Sequence, residues 1–132
     1  MISKNFFSND LSLLRQILKG SKKKVFLVTG NKSFQDSGIK KKIEPFFKDH
    51  IVRRFSDFNV NPSIEDLKKG IRVFSNFNAD IIIAIGGGSV IDMAKLINTI
   101  SAQNENPIKN IIIGKTPIKR KGLELVAIPT TT

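Results

Sequence analysis

The sequence has 132 residues, a length that suits one domain and is too short for two ordinary ones. Its 40% apolar and 25% charged residues lie close to the globular average, which excludes disorder as a description of the whole chain. It has no cysteine and a single histidine, His50, which excludes a disulfide scaffold, a cysteine nucleophile and a metal site built from several histidines of this chain.

The charge is strongly positive, with 22 Lys and Arg against 11 Asp and Glu, for a net charge of +11. Such a balance favours polyanions or phosphorylated ligands. The basic residues form short separate clusters, at 22–24, 40–42 and 115–121, as on a solvated surface. Tyr and Trp are absent, which leaves only Phe for stacking on bases. We therefore expect no nucleic-acid partner; a polyanion binder, with steeply salt-dependent DNA binding, is the minor alternative.

The most apolar window, residues 81–100, has the length of a membrane span. Asp92, Lys95 and a glycine triplet interrupt it, and a bilayer disfavours such residues. The N-terminus has no continuous apolar run of signal length. We therefore expect a cytoplasmic protein with no membrane partner.

Predicted helices and strands alternate along the first half of the chain. Apolar spacing predicts a helix over 11–18, and 24–30 is a short buried strand that stops at a glycine. A helix is predicted over 37–48, although Pro45 lies inside it. A second strand is predicted over 51–58.

The same alternation continues in the second half. A helix is predicted to start at Asn61-Pro62-Ser63, with the proline in its first turn. Five consecutive apolar residues at 81–85 indicate a strand buried on both faces, as in a parallel sheet. Two further strands are predicted over 111–114 and 123–128. The pattern predicts an α/β fold: a Rossmann-like parallel sheet flanked by helices and joined by right-handed crossovers.

The most informative segment is IIIAIGGGSVIDMAK, residues 81–95. A buried strand leads into three glycines, and a helix with an apolar face leaves from them. Glycines can adopt positive φ and have no Cβ, so backbone N–H groups can approach a ligand closely. The helix directs its unpaired N–H groups and the positive end of its dipole to the same point, which suits a diphosphate. Ser89 adds a hydroxyl, and Asp92 is expected in the first helical turn, where it could cap loop amides.

The loop matches neither G-x-G-x-x-G nor the P-loop pattern, and a glycine triplet alone can be a simple tight turn. Four stretches together resemble the N-terminal domain of the iron-containing (group III) alcohol dehydrogenase family, within the dehydroquinate synthase-like fold. They are VFLVTG at 25–30, NPS at 61–63, the segment 81–95 and LVAIPTT at 125–131. They occur in the family's order and at about its spacing, and the resemblance extends from about residue 23 to residue 132.

The resemblance implies a set of cofactor-binding positions: Gly30, Asn61, Gly87, Gly88, Ser89, Asp92, Thr130 and Thr131. The two glycines and the serine would hold the diphosphate of the dinucleotide, and Asp92 would shape that loop or touch the cofactor. Thr130 and Thr131 would line the cleft beside the nicotinamide half, and Asn61 would lie near the nicotinamide and the substrate pocket. Purely structural alternatives are that Asn61 only caps a helix and that the threonines only end a strand.

Gly30 departs from the family pattern, because many members have an aspartate there. A carboxylate at that place accepts a hydrogen bond from the ribose 2′-OH and repels a 2′-phosphate. Gly30 removes that repulsion, and Asn31, Lys32 and Ser33 follow it. We therefore expect the cofactor to be NADP or NAD, with NADP slightly favoured.

The second departure concerns the metal. The family continues beyond its threonine pair into a helical domain that binds a catalytic iron or zinc, and the sequence stops inside that motif. We therefore expect residues 1–132 to be a dinucleotide-binding domain truncated after the threonines, with no catalytic or metal-binding residue of its own and little turnover alone. His50 is expected to be a structural or surface histidine. Exposed cleft walls would favour self-association, a homodimer included.

The resemblance thus implies an NAD(P)-dependent, metal-dependent alcohol dehydrogenase or aldehyde reductase, of which this chain is the cofactor-binding part. The partners would be a dinucleotide and a small alcohol or aldehyde. Segments 29–34 and 54–62 resemble branches that reduce phosphonoacetaldehyde, an anionic aldehyde. The alternatives are a non-catalytic nucleotide-binding remnant and another enzyme of the same fold, such as dehydroquinate synthase or a glycerol-type dehydrogenase.

Overall fold

The computed structural model of the chain describes residues 5–7, 12–36, 38–103 and 122–130. Its strands are β1 (Asn5–Phe7), β2 (Lys24–Thr29), β3 (Ile51–Phe55), β4 (Ile81–Gly86) and β5 (Leu125–Pro129). Its helices are α1 (Ser12–Leu18), α2 (Lys32–Asp36), α3 (Ile39–Phe47), α4 (Ile64–Phe77) and α5 (Gly88–Ala102). The strand predicted over 111–114 and the predicted site residue Thr131 lie outside the described residues.

Within that part of the chain, the strands form one parallel sheet in the order β1-β5-β4-β2-β3. The predicted α/β class and parallel sheet are confirmed. Residues 81–85 of β4 are all buried, as expected for a central strand without alternation. Strand β1 was not predicted, because three residues are too few to show a periodicity. This strand pairs with β5, and Asn5 lies opposite Leu125.

Two apolar cores cover the two faces of the sheet. On one face, Phe26 and Val28 of β2 and Ile82 and Ala84 of β4 pack with α4 and α5. On the other face, the alternate residues of the same strands pack with α1, α2 and α3. Ile43 is the buried residue of α3 in this second core. Crossover helices on both faces bury the sheet from both sides, which explains why its central strands need apolar residues at every position.

Several predicted boundaries were wrong, and the strand predicted over 123–128 starts only at Leu125. The strand at 51–58 ends at Phe55, and the segment 37–48 yields a helix only from Ile39, after Gly38 in a left-handed conformation at φ 79°. Pro45 lies inside that helix without ending it. Pro62 is outside α4, because the N-cap is Ser63.

The sheet has a topological switch point between β2 and β4. From the carboxyl end of β2 the chain moves to β3 on one side, and α4 then returns it across β2 to β4. From the carboxyl end of β4 the chain moves through α5 to β5 on the opposite side. In open α/β sheets, ligands bind beyond the carboxyl ends of the strands at such a point, because the two connections diverge there and leave a crevice. None of the described helices is long and apolar enough to cross a membrane.

Candidate functional site

The carboxyl ends of three neighbouring strands bring separate predicted residues to one edge. Thr29 of β2 pairs with Ile85 of β4, so Gly30 and Gly86 follow side by side. On the other flank of β4, the Thr130 N–H donates to the Gly86 carbonyl oxygen at 3.0 Å. The structure therefore brings Gly30, Thr130 and the glycine loop together at the switch point.

The three glycines of the loop serve different purposes. Gly86 has φ 156°, and a Cβ there would lie 2.8 Å from Val90 Cγ2, so the turn itself requires glycine. Gly87 has an ordinary φ of −81°, and a Cβ added at Gly87 or Gly88 would meet nothing within 4 Å. The expectation of positive φ thus holds only at Gly86 in this triplet. Neither conformation nor packing in the described chain requires glycine at 87 or 88, and that leaves room for a ligand to approach the backbone.

Helix α5 starts at this loop without help from a side chain. Gly87 is its N-cap and makes no side-chain cap bond, and within the described part of the chain no acidic residue lies in its first turn. Its carbonyl accepts the first helical bond, from the Ile91 N–H at 3.1 Å. The backbone N–H groups of the first turn have no intrahelical partner, so they and the helix dipole favour an anion at this point. The half-buried Ser89 lies in that turn.

Asp92 does not occupy the place predicted for it. Because α5 begins at Gly88, Asp92 is the fifth helical residue and lies in the second turn, not the first. It is exposed and does not cap the loop amides. Its expected place in the first turn is therefore wrong; a role in shaping the loop or a contact with the cofactor stays a prediction.

Asn61 is exposed and lies in the connection between β3 and α4. The alternative that it caps α4 is wrong, because Ser63 does so: its hydroxyl accepts from the Asp66 N–H at 3.1 Å. Asp66 Oδ2 accepts in return from the Ser63 N–H at 3.1 Å and from the Asn59 N–H at 3.4 Å. These bonds, the one from Ser63 first, lower the pKa of Asp66, and the charge of Lys69 adds to them. A carboxylate thus fixes the segment that carries Asn61.

Asn61 and Thr130 follow strands that lie on opposite sides of β4. Asn61 follows β3, beyond β2, whereas Thr130 follows β5 on the other flank of β4. A single dinucleotide would contact both only by extending across the loop. The roles that the resemblance implies for these two residues stay predictions.

Arg54 is a further residue of the site, and we did not predict it from the sequence. Its Nε donates to Thr29 Oγ1 at 2.8 Å, and its Nη2 donates to the carbonyl oxygens of Gly30 at 3.1 Å and Asn31 at 3.3 Å. Burial lowers the pKa of this guanidinium. Nothing in the local pattern of β3 marks an arginine at its penultimate position; only the strand register, which puts Arg54 beside Leu27 of β2, places it here.

His50 is structural, as predicted. Its Nδ1 accepts from the Lys23 N–H at 3.0 Å, and its Nε2 is 2.9 Å from the Leu18 carbonyl oxygen, to which it donates in the neutral tautomer that the first bond requires. Both ring nitrogens are thus engaged. Across the described ranges, His, Cys, Asp and Glu form no group of three or more that could hold a metal ion.

A cavity of about 460 Å³ lies away from the glycine loop, with Phe74, Asn98, Ser101 and Leu123 among the residues that line it. It is beside the amino end of β5 and the carboxyl ends of α4 and α5. The candidate site is therefore an open crevice at the strand ends, not this cavity.

Residues 4–132 match the sequence profile of the family described as "Iron-containing alcohol dehydrogenase". The chain is 42% identical over 71 residues to lactaldehyde reductase of Escherichia coli K12, which covers 54% of this chain and 19% of that protein. It is 30% identical over 118 residues to NADH-dependent butanol dehydrogenase B of Clostridium acetobutylicum, which covers 87% of this chain and 30% of that protein.

The NADPH-dependent butanol dehydrogenase of Clostridium saccharobutylicum is 34% identical over 118 residues, with the same coverage of 87% and 30%. The chain thus spans between about a fifth and a third of the curated relatives it matches. Among solved structures, NADH-dependent butanol dehydrogenase A of Thermotoga maritima superposes with a TM-score of 0.78 at 23% identity, covering 98% of this chain and 33% of that one. At that identity the likeness shows the fold alone.

Proposed function

The chain belongs to the iron-containing alcohol dehydrogenase family, and from that premise we propose that residues 1–132 are the dinucleotide-binding domain of an NAD(P)-dependent alcohol dehydrogenase or aldehyde reductase. The observation that carries the proposal is the start of α5. It has no side-chain cap, and it begins at Gly87 and Gly88, two glycines that neither backbone conformation nor packing in the described chain requires. Glycines with open space beside a helix start suit a ligand that binds to backbone amides.

The residues of the chain would bind and orient the cofactor. The amides at Gly87, Gly88 and Ser89 would donate to the diphosphate, and Gly86 makes the turn that aims them. Thr130, fixed to Gly86 through its backbone, would flank the diphosphate on the β5 side, and we extend this to Thr131. The bound nicotinamide would supply the hydride chemistry.

The described residues do not form a site for the metal that the family name implies. His50 has both ring nitrogens engaged at the opposite ends of the strands. No step of the reaction is therefore assigned to a metal held by these residues.

We further propose that NADP(H) is accepted and slightly preferred. Gly30 has no carboxylate to repel a 2′-phosphate, and the neighbouring charges at Lys32 and Arg54 are positive. The names of the relatives include both an NADH-dependent and an NADPH-dependent enzyme, so family membership alone leaves the choice open.

Fluorescence titration of the purified chain with NADPH and with NADH tests both proposals. We expect saturable binding of both nucleotides, with NADPH at least as tight as NADH. Tenfold tighter binding of NADH would contradict the NADP(H) preference, and saturable binding of neither would contradict dinucleotide binding.

We propose an anionic aldehyde as the substrate class. The net charge of +11 favours an anionic aldehyde over a neutral one. One solved structure of this fold is the sulfoacetaldehyde reductase of Bifidobacterium kashiwanohense in complex with NAD+, with a TM-score of 0.77 at 22% identity over 98% of this chain. Sulfoacetaldehyde is named as the substrate of that enzyme only. Cytoplasmic location and self-association stay predictions from the sequence.

A further inference from the structure

We propose that Arg54 is a positioning and specificity residue for the adenosine end of the dinucleotide, through the segment Gly30–Asn31 that it holds. The proposal rests on the dinucleotide-binding function proposed above. It assigns a task to a side chain that the sequence pattern did not mark, and it names the group that Arg54 distinguishes: the 2′-phosphate against the 2′-hydroxyl of the ribose.

Arg54 fixes the backbone of the chain just beyond β2. Its Nη2 donates to both carbonyl oxygens of the Gly30–Asn31 segment. The Thr29 hydroxyl accepts from Arg54 Nε and donates to the Gly30 oxygen at 2.7 Å. Both carbonyls therefore point toward β3 and are held by charge-assisted bonds, which are stronger than neutral ones. The backbone that follows β2 is therefore fixed at Gly30 and Asn31.

The guanidinium of Arg54 also packs on the ring of Phe34. Its Cζ lies 4.7 Å from the centre of the Phe34 ring, and that ring is buried on α2. A planar cation over an aromatic face is favourable and restricts the side chain to one plane. Arg54 is thus held against α2 and the carboxyl end of β2, beside the switch point, where the adenosine would lie if the diphosphate is at Gly87–Ser89.

Arg54 also places a positive charge beside the Gly30–Asn31 segment. Its Nε and Nη2 make the three bonds described, and Nη1 takes no part in them. A guanidinium is an effective partner for a phosphate, because it presents paired N–H donors with a permanent charge. With no carboxylate at position 30, Arg54 would favour a 2′-phosphate and would be nearly indifferent to a 2′-hydroxyl.

The test compares variants of the 132-residue chain by titration with NADPH and NADH, and by calorimetry with 2′,5′-ADP and ADP. Arg53→Met is the matched control: Arg53 precedes Arg54 on β3, is exposed, and borders Arg72 and Phe77 of α4, away from Phe34. We expect Arg54→Met to weaken NADPH and 2′,5′-ADP about tenfold, and NADH and ADP less than threefold. Arg53→Met should change none of the four.

Thr29→Val is the second variant, in case Arg54→Met does not fold. It replaces the buried hydroxyl that orients Arg54 Nε by a methyl group of the same shape and keeps the charge. We expect a loss of NADPH affinity of about threefold, with a smaller change for NADH. Thermal unfolding of each variant shows that binding is compared between folded proteins.

The outcomes separate the two proposals. A wild-type chain that binds none of the four ligands overturns dinucleotide binding, and this inference with it. A wild-type chain that binds NADPH, together with an Arg54→Met variant that binds as the wild type does or loses NADPH and NADH equally, overturns the role of Arg54 alone. A selective loss of the 2′-phosphorylated ligands supports it.

Discussion

Helices α4 and α5 both begin at the carboxyl edge of the sheet, and they begin in opposite ways. At α4, the Ser63 hydroxyl and the Asp66 carboxylate form a reciprocal capping box that satisfies backbone donors with side chains of the chain itself. At α5, the N-cap residue is Gly87 and makes no side-chain cap bond. Side chains of the protein cap one helix start, and we propose that a ligand binds at the other.

The glycines of the two helices differ in the same way. A Cβ at Gly70 of α4 would lie 2.6 Å from Ile97 Cδ1 and 2.9 Å from Phe55 Cε2, so the contact between α4 and α5 depends on that glycine. A Cβ at Gly87 or Gly88 would meet nothing. Internal packing therefore explains Gly70 but does not explain Gly87 or Gly88, which we propose to be sites of ligand contact.

The largest expected effect is on binding at the α5 start. The double substitution Gly87→Ala, Gly88→Ala adds two methyl groups where the diphosphate would contact the backbone, and we expect about 100-fold weaker NADPH binding, roughly 2.7 kcal/mol. The free energy of unfolding should change by less than about 1 kcal/mol, because alanine fits an ordinary φ and open space. Fluorescence titration and urea unfolding measure the two quantities. Equal losses of binding and stability would show that these glycines are structural after all.

The converse is expected at Gly70. Gly70→Ala forces a methyl group into the contact with Ile97 and Phe55, and overpacking of this kind costs about 1–3 kcal/mol. Urea unfolding should show that loss. NADPH affinity, measured on the folded variant, should stay within twofold of the wild type, and a large change there would contradict the separation of the two regions.

A smaller effect is expected at the capped helix. Ser63→Ala removes the hydroxyl that accepts from the Asp66 N–H, and the loss of such a cap costs about 1 kcal/mol. Ser63→Asp, which keeps an acceptor, serves as the control and should be close to the wild type in thermal unfolding. If Ser63→Ala is as stable as the wild type, α4 does not depend on its capping box.

The smallest effect is a dependence on pH. The pKa of Asp66 is lower in the folded chain than in the unfolded one, so its stabilising contribution is complete above the unfolded value of about 3.9 and is lost as the pH falls through the folded pKa. Urea midpoints from pH 6 down to pH 2.5 should therefore fall less steeply for Asp66→Asn than for the wild type. Identical slopes would contradict the assignment.

The sequence predicted the parts of the fold that depend on local pattern. Unbroken apolar residues at 81–85 gave the buried central strand, and the glycine triplet marked the start of α5. The register of distant strands leaves no such mark. That is why Arg54 was missed as a site residue: its partners Thr29 and Gly30 are more than twenty residues away along the chain. The placement of Asp92 in the first turn failed because the helix starts at Gly88, a boundary that a run of glycines hides.

The central claim is that the amides of Gly87, Gly88 and Ser89 bind a dinucleotide diphosphate. Amide chemical shifts of the 15N-labelled chain, followed during titration with NADPH, test it most directly. We predict that these three resonances move the most and saturate together with the nucleotide fluorescence. If they stay in place while NADPH binds and other amides shift, the diphosphate lies elsewhere and the account of the site is wrong.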